Sequence, residues 1–439
     1  MSPLILGLLI AFTLILVLLL GVPVAFALGS VAIVFLVIFD GVGSINVMAE
    51  TIFAGLNEFA LLSIPMFILM GAAIASSRAG SDLYEALERW FYRVPGGLII
   101  SNLGACSIFA ALSGSSPATC AAIGKMGIPE MQKRGYPDSL ATGAIAAGGT
   151  LGILIPPSIT MIVYGIATET SIGRLFLAGI IPGLLLTGLF MAWSLFYAKR
   201  NGFHFKIGDK GYSWKEKFEI LPKVLPFLVI IGLILYALYG GVTTPSEAAG
   251  VGAFVCVGLV VLIYKMWSWR ANWEILRSAT RESIMIMMII ATAALFSYMM
   301  SSLYITQALA EWIAALDVNP WVLLISINIF LLVAGLFLPP VAVILMTAPT
   351  LLPIVETIGF DPIWFGVMLT INMEIGLITP PVGLNLYVIN SIAPNIKLPT
   401  ILWGALPFML CMIFAIILLI IFPGIATWLP DAVMGAAQY

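Results

Sequence analysis

Charged residues are scarce in this 439-residue chain. Only 9% of its residues are Asp, Glu, Lys or Arg, whereas 62% are hydrophobic. An ordinary soluble domain is about 25% charged, so this composition excludes a soluble globular protein. Apolar stretches long enough to cross the ~30 Å hydrocarbon core of a bilayer recur along the whole sequence. We therefore interpret the chain as one polytopic membrane domain.

Cysteine and histidine are also rare. The four cysteines lie in apolar segments with no paired spacing, which argues against a disulfide framework or a metal site. The single histidine, His204, lies in a basic stretch and is interpreted as a solvated loop residue. The N-terminus lacks the basic region and the small-residue cleavage site of a signal peptide, so the first apolar run is expected to be a retained helix.

What the chain does contain is a set of Gly and Pro interruptions that occurs twice. The matches, at offsets of 224, 221 and 222, are Pro156-Pro157 with Pro380-Pro381, Gly114 with Gly335, and Pro23 with Pro245. Three matches at nearly one offset indicate two copies of one unit of roughly 220 residues. Interrupted apolar segments in corresponding positions of two halves are typical of a secondary transporter and point to its binding site.

Each half contains six apolar elements. They span 4–20, 22–39, 52–76, 98–128, 139–167 and 173–197, then 222–241, 245–266, 282–305, 322–358, 364–392 and 400–428. The fourth element of each half is interrupted in its middle, which leaves arms of about 12–18 residues that are marginal or too short to span. We predict that both are re-entrant hairpins. The fifth element is long enough to cross, but its Pro-Pro doublet breaks the helix.

The distribution of basic residues gives the orientation. A hairpin returns to the side that it entered, so each half crosses five times and the second half is inverted. In this arrangement 18 of the 19 Lys and Arg residues fall on one side, and only Arg174 falls on the other. The positive-inside rule makes the basic side cytoplasmic. Both termini are then extracytoplasmic, the first hairpin enters from the cytoplasm and the second enters from outside.

The predicted fold class is therefore an all-α polytopic membrane protein. It has two inverted-topology repeats, each with a re-entrant helical hairpin and a broken transmembrane helix. The first repeat covers 1–197, a cytoplasmic basic linker covers 198–221, and the second repeat covers 222–439.

Hairpin tips and helix breaks expose carbonyls, hydroxyls and helix ends at hydrocarbon depth, where they must find partners or line a cavity. Oxygen ligands suit a hard cation such as Na⁺, and half-helix N-termini suit an anionic substrate. The alternative is that small residues merely let the helices pack closely. The candidates are Ser113, Ser115, Ser116, Thr119, Gly148, Gly149, Thr150 and Ser158 in the first half, and Gly335, Thr347, Asn372, Glu374, Thr379 and Asn385 in the second.

Several of these runs resemble a known family. Ser113–Thr119, Pro129–Met131, Gly152–Ser158 and Asn372–Gly383 are similar to the large membrane subunit of tripartite ATP-independent periplasmic (TRAP) transporters, and the likeness covers essentially the whole chain. The resemblance implies a Na⁺-driven elevator in the bacterial inner membrane, in which hairpins and broken helices slide past a scaffold. It also implies a small four-helix membrane subunit and a soluble periplasmic binding protein that delivers a carboxylate substrate. Na⁺ is the expected coupling ion, and no other cofactor is expected.

The resemblance also suggests site residues by position. One Na⁺ site would include Ser113, Gly114, Ser115, Gly149, Thr150 and Pro156, and the other Gly335, Gly376, Thr379 and Pro380. The substrate candidates are Ser116, Ser158, Asn372, Glu374 and Asn385. The chain departs from the family at Leu338-Pro339-Pro340, where many relatives carry an acidic residue, and Glu374 is the residue that could compensate.

Two other function classes stay open from the residues alone. A direct Na⁺-coupled carboxylate symporter would share the repeats and hairpins but would need no binding protein. An intramembrane enzyme would need a membrane-embedded base beside a nucleophile such as Ser113, and His204 does not supply one. We therefore expect a transporter and not an enzyme. C4-dicarboxylates are the first expected substrate class, followed by sialic acid and other organic acids.

The orientation can be tested by cysteine labelling from outside intact cells. We expect a cysteine at Gln438 to react with a membrane-impermeant maleimide and a cysteine at Gly208 to react only after the cells are opened. Labelling of the Gly208 position in intact cells would contradict the inverted arrangement of the two halves.

Overall fold

A computed structural model describes residues 2–91, 94, 96–201, 212–315 and 318–435 of the chain. These residues form helices joined by short turns, with no strand among them. Residues 202–211 of the predicted linker 198–221 lie outside the described residues. So do the residues Arg93, His204, Lys206, Gly208, Lys210 and Gln438 that the sequence analysis used.

The first half is described as a series of helices with two short 3₁₀ connections before α4 and one after α8. The helices are α1 Pro3–Leu19, α2 Val24–Phe39, α3 Ile45–Leu56, α4 Ser63–Ala75, α5 Ala79–Phe91, α6 Gly97–Ser113, α7 Ser116–Lys133, α8 Asp138–Thr150, α9 Ile159–Ala167 and α10 Ile172–Arg200.

The second half repeats this order after one short amphipathic helix, α11. The helices are α11 Trp214–Glu219, α12 Leu221–Tyr239, α13 Pro245–Ile263, α14 Trp269–Ser302, α15 Ile305–Ala315, α16 Pro320–Phe337, α17 Pro340–Thr357, α18 Pro362–Leu377, α19 Leu384–Ile392, α20 Leu398–Ile421 and α21 Gly424–Met434.

The helix breaks fall where glycine and proline predict them. A two-residue turn joins α6 to α7 and another joins α16 to α17, which makes the two hairpins. The segments around the cis peptides Pro156-Pro157 and Pro380-Pro381 separate α8 from α9 and α18 from α19, which makes the two broken helices. The prediction of an all-helical fold with two such repeats is confirmed.

Three element boundaries differ from those predicted. The element predicted at 52–76 belongs to a bent pair, α3 and α4, with an angle of 60° at the polar residues Asn57 and Glu58. Its counterpart α14 is one helix of 34 residues that begins before the predicted 282, because no Gly or Pro interrupts 269–302. The element predicted at 400–428 is divided into α20 and α21 at Pro423, whose ring cannot continue a helix.

Helix length and composition agree with several membrane crossings. Seven helices in the described part of the chain are long and apolar enough to cross, or eight if the bent pair α3–α4 counts as one span. The hairpin arms α16 and α17, at 18 residues each, meet this criterion although the sequence suggested arms of marginal length. The pieces α9 and α19, at nine residues each, are too short to cross alone.

The two halves interlock through equivalent elements. The second piece of the first broken helix, α9, packs on the second arm of the second hairpin, α17. Its counterpart α19 packs on α7, the second arm of the first hairpin. The long helix α14 packs on α2, α3 and α4, and it also contacts α17, the second arm of the second hairpin. The hairpins and broken helices thus form one central body, and α14 belongs to a surrounding group of continuous helices.

Glycines bring the backbones of α8 and α20 into direct contact. A methyl group added at Gly143 would lie 2.0 Å from the carbonyl oxygen of Gly404, and one at Gly404 would lie 1.8 Å from the carbonyl oxygen of Ser139. Because lipid tails are as apolar as a helix surface, such close packing is a main source of attraction between membrane helices.

This contact predicts the effect of one added methyl group. We expect Gly404→Ala to destabilise the protein by about 1–3 kcal/mol, because the obstructing atoms are backbone and cannot move aside cheaply. The control is Gly258→Ala in α13, where a methyl group meets nothing within 4 Å. Thermal unfolding in detergent should show a lower midpoint for Gly404→Ala only. Equal midpoints would contradict the tight α8–α20 contact.

Candidate functional site

The first hairpin tip is a turn of two residues. α6 ends at Ser113, Gly114 is left-handed with φ of 59°, Ser115 is extended, and α7 begins at Ser116. Glycine takes this φ without the steric cost that a Cβ would bring. Pro117, in the first turn of α7, lacks an N–H that the helix start would leave unpaired. The residue order of this run therefore specifies the turn locally.

Oxygen atoms gather at this tip. Ser113 Oγ lies 2.9 Å from Thr119 Oγ1, and the Thr119 hydroxyl donates to the carbonyl oxygen of Ser115 at 2.9 Å. Ser113 and Thr119 are buried, whereas Ser115 is partly exposed. Two hydroxyls and a carbonyl offer oxygen ligands of the type that a hard cation takes. The same hydrogen bonds satisfy these groups when no cation is bound.

The first helix break lies against the first tip. A methyl group added at Gly114 would lie 2.9 Å from the carbonyl oxygen of Pro157, and one at Gly152 would lie 2.8 Å from that of Ser115. Ser158 caps α9 by accepting from the N–H of Met161 at 3.2 Å. Its hydroxyl also donates to a carbonyl within the break.

The last turn of α8 completes this region. A methyl group at Gly149 would lie 2.0 Å from Cys120 Sγ and 3.2 Å from the carbonyl oxygen of Ser116. The next residue, Thr150, is buried and donates its hydroxyl to the carbonyl of Ala147 at 2.7 Å. The residues predicted for the first Na⁺ site thus belong to one compact region of tip and break.

The second tip and break meet in an equivalent way. A methyl group at Gly376 would lie 2.3 Å from the carbonyl oxygen of Gly335. The N–H of Val382 donates to the carbonyl of Leu336 at 3.2 Å, which joins the break directly to the hairpin. The Thr379 hydroxyl donates to a carbonyl one turn earlier. Pro380 follows directly, so the residues predicted for the second Na⁺ site also share one region.

A buried hydrogen-bonded pair of predicted site residues lies between the two halves. The Asn385 side chain donates from Nδ2 to Ser116 Oγ at 2.8 Å, and Ser116 Oγ lies 3.1 Å from Asn385 Oδ1. Nδ2 also donates to the carbonyl of Ala146 at 3.1 Å. Both side chains are fully buried. Two of the predicted substrate residues, 269 positions apart, are therefore in contact.

The other three predicted substrate residues lie elsewhere. Asn372 donates to Asn328 in the second hairpin at 2.6 Å, and Ser158 is occupied as a helix cap. Glu374 is fully buried, and neither carboxylate oxygen has a hydrogen-bond partner among the described residues. None of the three lines the cavity described next.

A cavity of about 430 Å³ separates the central body from the surrounding helices. We call it the central cavity. Its inner wall contains the first tip, through Ser115 and Ser116, and the second tip, through Pro339 and Pro340. Its outer wall contains the start of α2 and the stretch 281–289 of α14. Both hairpin tips therefore face one space bounded by continuous helices.

Two charged residues of this cavity were missed as site residues by sequence reasoning. Arg281 and Glu282 line it, and no other charged residue does so among those described. In the sequence they stand at the polar edge of an apolar run, which suggested only a membrane boundary. The absence of Gly and Pro from 269–302 was the signal that could have placed these two residues inside a long helix and further into the membrane.

The sequence matches the family described as Tripartite ATP-independent periplasmic transporter, DctM component, over residues 11–425. The chain is 39% identical to the C4-dicarboxylate TRAP transporter large permease protein DctM of Pseudomonas aeruginosa over 374 residues, which cover 85% of this chain and 87% of that protein. It is 32% identical to the sialic acid TRAP transporter large permease protein SiaM of Vibrio cholerae over 382 residues, covering 87% and 88% respectively.

Solved structures agree on the fold. The crystal structure of the YdaH transporter of Alcanivorax borkumensis superposes with a TM-score of 0.64, covering 89% of this chain and 90% of that one at 16% identity. At this identity the likeness concerns the fold alone. The family match and the curated relatives, each covering most of the chain, confirm the resemblance inferred from the motifs. The chain belongs to the DctM component family, the large permease subunits of tripartite ATP-independent periplasmic transporters.

Proposed function

We propose that this chain is the large subunit of a Na⁺-coupled secondary transporter that imports organic acids by an elevator mechanism. The observation that carries this proposal is the convergence of both hairpin tips on the central cavity, opposite continuous helices. The central body carries the candidate binding groups, and it lies against the outer wall formed by α2 and α14. It is therefore suited to move along that wall. The binding groups can then face one side of the membrane and afterwards the other without a rearrangement inside the central body or inside the outer wall.

The first proposed Na⁺ site consists of Ser113, Gly114, Ser115, Gly149, Thr150 and Pro156. Its support is the buried group of hydroxyl and carbonyl oxygens at the tip, with glycines that allow backbone atoms to approach. A hard cation needs several oxygen ligands at short range, and backbone carbonyls supply them without a formal charge.

The second proposed Na⁺ site consists of Gly335, Gly376, Thr379 and Pro380. The close approach of Gly376 to the Gly335 carbonyl supports it. No acidic residue stands at this tip, where Leu338-Pro339-Pro340 is found. The site would therefore depend on carbonyl and hydroxyl oxygens. Glu374 lies two residues before Gly376 in the same helix and is the one carboxylate proposed to support the region.

The proposed substrates are C4-dicarboxylates first and sialic acid second, as the names of the relatives suggest. Ser116, Ser158, Asn372, Glu374 and Asn385 are the substrate residues proposed from the motifs. Among them Ser116 lines the central cavity and is held by Asn385, which favours this pair for direct or indirect contact with substrate.

The proposed partners are a small four-helix membrane subunit and a periplasmic substrate-binding protein. The proposed location is the bacterial inner membrane with both termini in the periplasm. The large apolar side chains exposed on α1, α2 and α12 suit a lipid or helix neighbour and support a membrane-embedded partner.

The Na⁺ site can be tested by removing one hydroxyl. We expect Ser115→Ala to raise the Na⁺ concentration for half-maximal uptake about fivefold, since a lost polar contact costs about 1 kcal/mol. Succinate or N-acetylneuraminate uptake into proteoliposomes that contain the reconstituted complex would be measured against Na⁺.

The control for this experiment is Ser101→Ala in the same hairpin arm. Ser101 is buried, and its hydroxyl donates only to the Gly97 carbonyl, one turn before it and three turns from the tip. We expect Ser101→Ala to keep the wild-type Na⁺ dependence. An unchanged Na⁺ dependence in a normally folded Ser115→Ala variant would mean that Ser115 only packs.

Dependence on partners separates this proposal from a direct symporter. We expect proteoliposomes that hold only this chain to show little uptake under an inward Na⁺ gradient. Adding the small subunit and the binding protein should restore uptake, which should saturate with binding-protein concentration. Full uptake by the isolated chain would favour the direct symporter.

A further inference from the structure

The central cavity has the size and lining of a small-molecule site. Its volume of about 430 Å³ falls in the range of about 300–1,000 Å³ usual for such sites. Apart from Arg281 and Glu282, the lining residues are apolar, glycine or hydroxyl-bearing, and the hydroxyls include those of Ser115, Ser116 and Thr160. A few polar groups in an apolar cavity give orientation and specificity to a bound ligand.

Arg281 is unpaired in the part of the chain that the structure describes. It makes no ion pair or hydrogen bond with any residue that the structure describes. Neighbours three and four positions away on a helix can pair with a charge. For Arg281 these are Ser278, Arg277, Ile284 and Met285, none of which is acidic.

The adjacent Glu282, which also lines the cavity, does not form an ion pair with Arg281 either. Residues next to each other in a helix do not face one another, and no ion pair joins these two. The guanidinium group therefore offers its donors to whatever enters the cavity. An arginine presents a planar fork that fits a carboxylate with two parallel hydrogen bonds.

We infer that Arg281 is a specificity-determining residue that binds a carboxylate of the substrate in the central cavity. This inference rests on the proposed function, because it requires the substrate to be an organic acid. The serine hydroxyls of the first tip would contact the same molecule from the opposite wall.

The position of Arg281 gives it a distinct part in transport. It lies on α14, which packs on α2, α3 and α4 and also borders α17 of the second hairpin, whereas the tips belong to the central body. The substrate would meet Arg281 only when the tips stand at this level of α14. Arg281 would thus contact the substrate only at one end of the movement of the central body, on the side that the basic loops make cytoplasmic.

A simpler reading is that Arg281 only helps to orient the chain as one of many basic residues on that side. Arg277 separates the two readings, because it is one turn away on α14, has the same charge, is also exposed and does not line the cavity. A topological role would be shared by both arginines, whereas carboxylate binding belongs to Arg281 alone.

The test uses this chain with its small subunit in nanodiscs, in Na⁺ and without the binding protein. Thermal unfolding is followed against succinate and against N-acetylneuraminate, since a ligand of the folded state raises the midpoint according to its affinity. We expect Arg281→Gln to weaken the apparent affinity for the acid about tenfold or more. We expect Arg281→Lys to be intermediate and Arg277→Gln to match the wild type.

Uptake by the full complex is measured beside the binding. Absence of Na⁺-dependent uptake of both acids by the wild type would contradict the proposed function, and the inference would fall with it. If the wild type transports, an Arg281→Gln affinity within twofold of the wild type, or an equal loss in Arg277→Gln, would overturn the inference alone. Should Arg281→Gln fail to fold, the affinity of Arg281→Lys for the acid is the test. A wild-type affinity in Arg281→Lys would contradict carboxylate binding by the arginine fork.

Discussion

Backbone polar groups cannot be left unpaired inside a bilayer, and this constraint governs the whole architecture. Two hairpins and two broken helices interrupt the regular hydrogen bonds of the helices at hydrocarbon depth. The groups that they free are paired within the protein: Ser158 caps α9, Thr119 donates to the carbonyl of Ser115, and the N–H of Val382 reaches the carbonyl of Leu336. Irregular backbone survives here because it is packed against other parts of the same chain or faces the central cavity.

The two halves cover each other through equivalent elements. α9 lies on α17 of the second hairpin, and α19 lies on α7 of the first. Within each half, glycines let the helix break approach the hairpin tip where a side chain would collide with backbone, as at Gly152 beside Ser115 and at Gly376 beside Gly335. The same close contacts bring carbonyl oxygens together, so the packing that stabilises the body also concentrates the groups that suit a cation.

The fold could be predicted from the sequence to a large extent because its decisive features are local. Gly114 and the doublets Pro156-Pro157 and Pro380-Pro381 break helices through their own backbone conformation. The repetition of such breaks indicated the two halves. The start of α14 could not be found, because hydropathy changes near 282 whereas the helix continues through polar residues from Trp269. Within the candidate site, the tip and break residues could be predicted from the Gly and Pro interruptions and the oxygen-bearing residues beside them. Arg281 was not, since its position in the central cavity depends on packing between helices far apart in sequence.

The contact between Ser116 and Asn385 has a consequence for how the two repeats can move relative to each other. It fastens the first hairpin to the second broken helix, and these carry the candidate groups of different repeats. A displacement of one candidate ion site therefore carries the other with it. A force on the first hairpin is thus transmitted to the second broken helix through this buried pair, so neither repeat can shift far without the other.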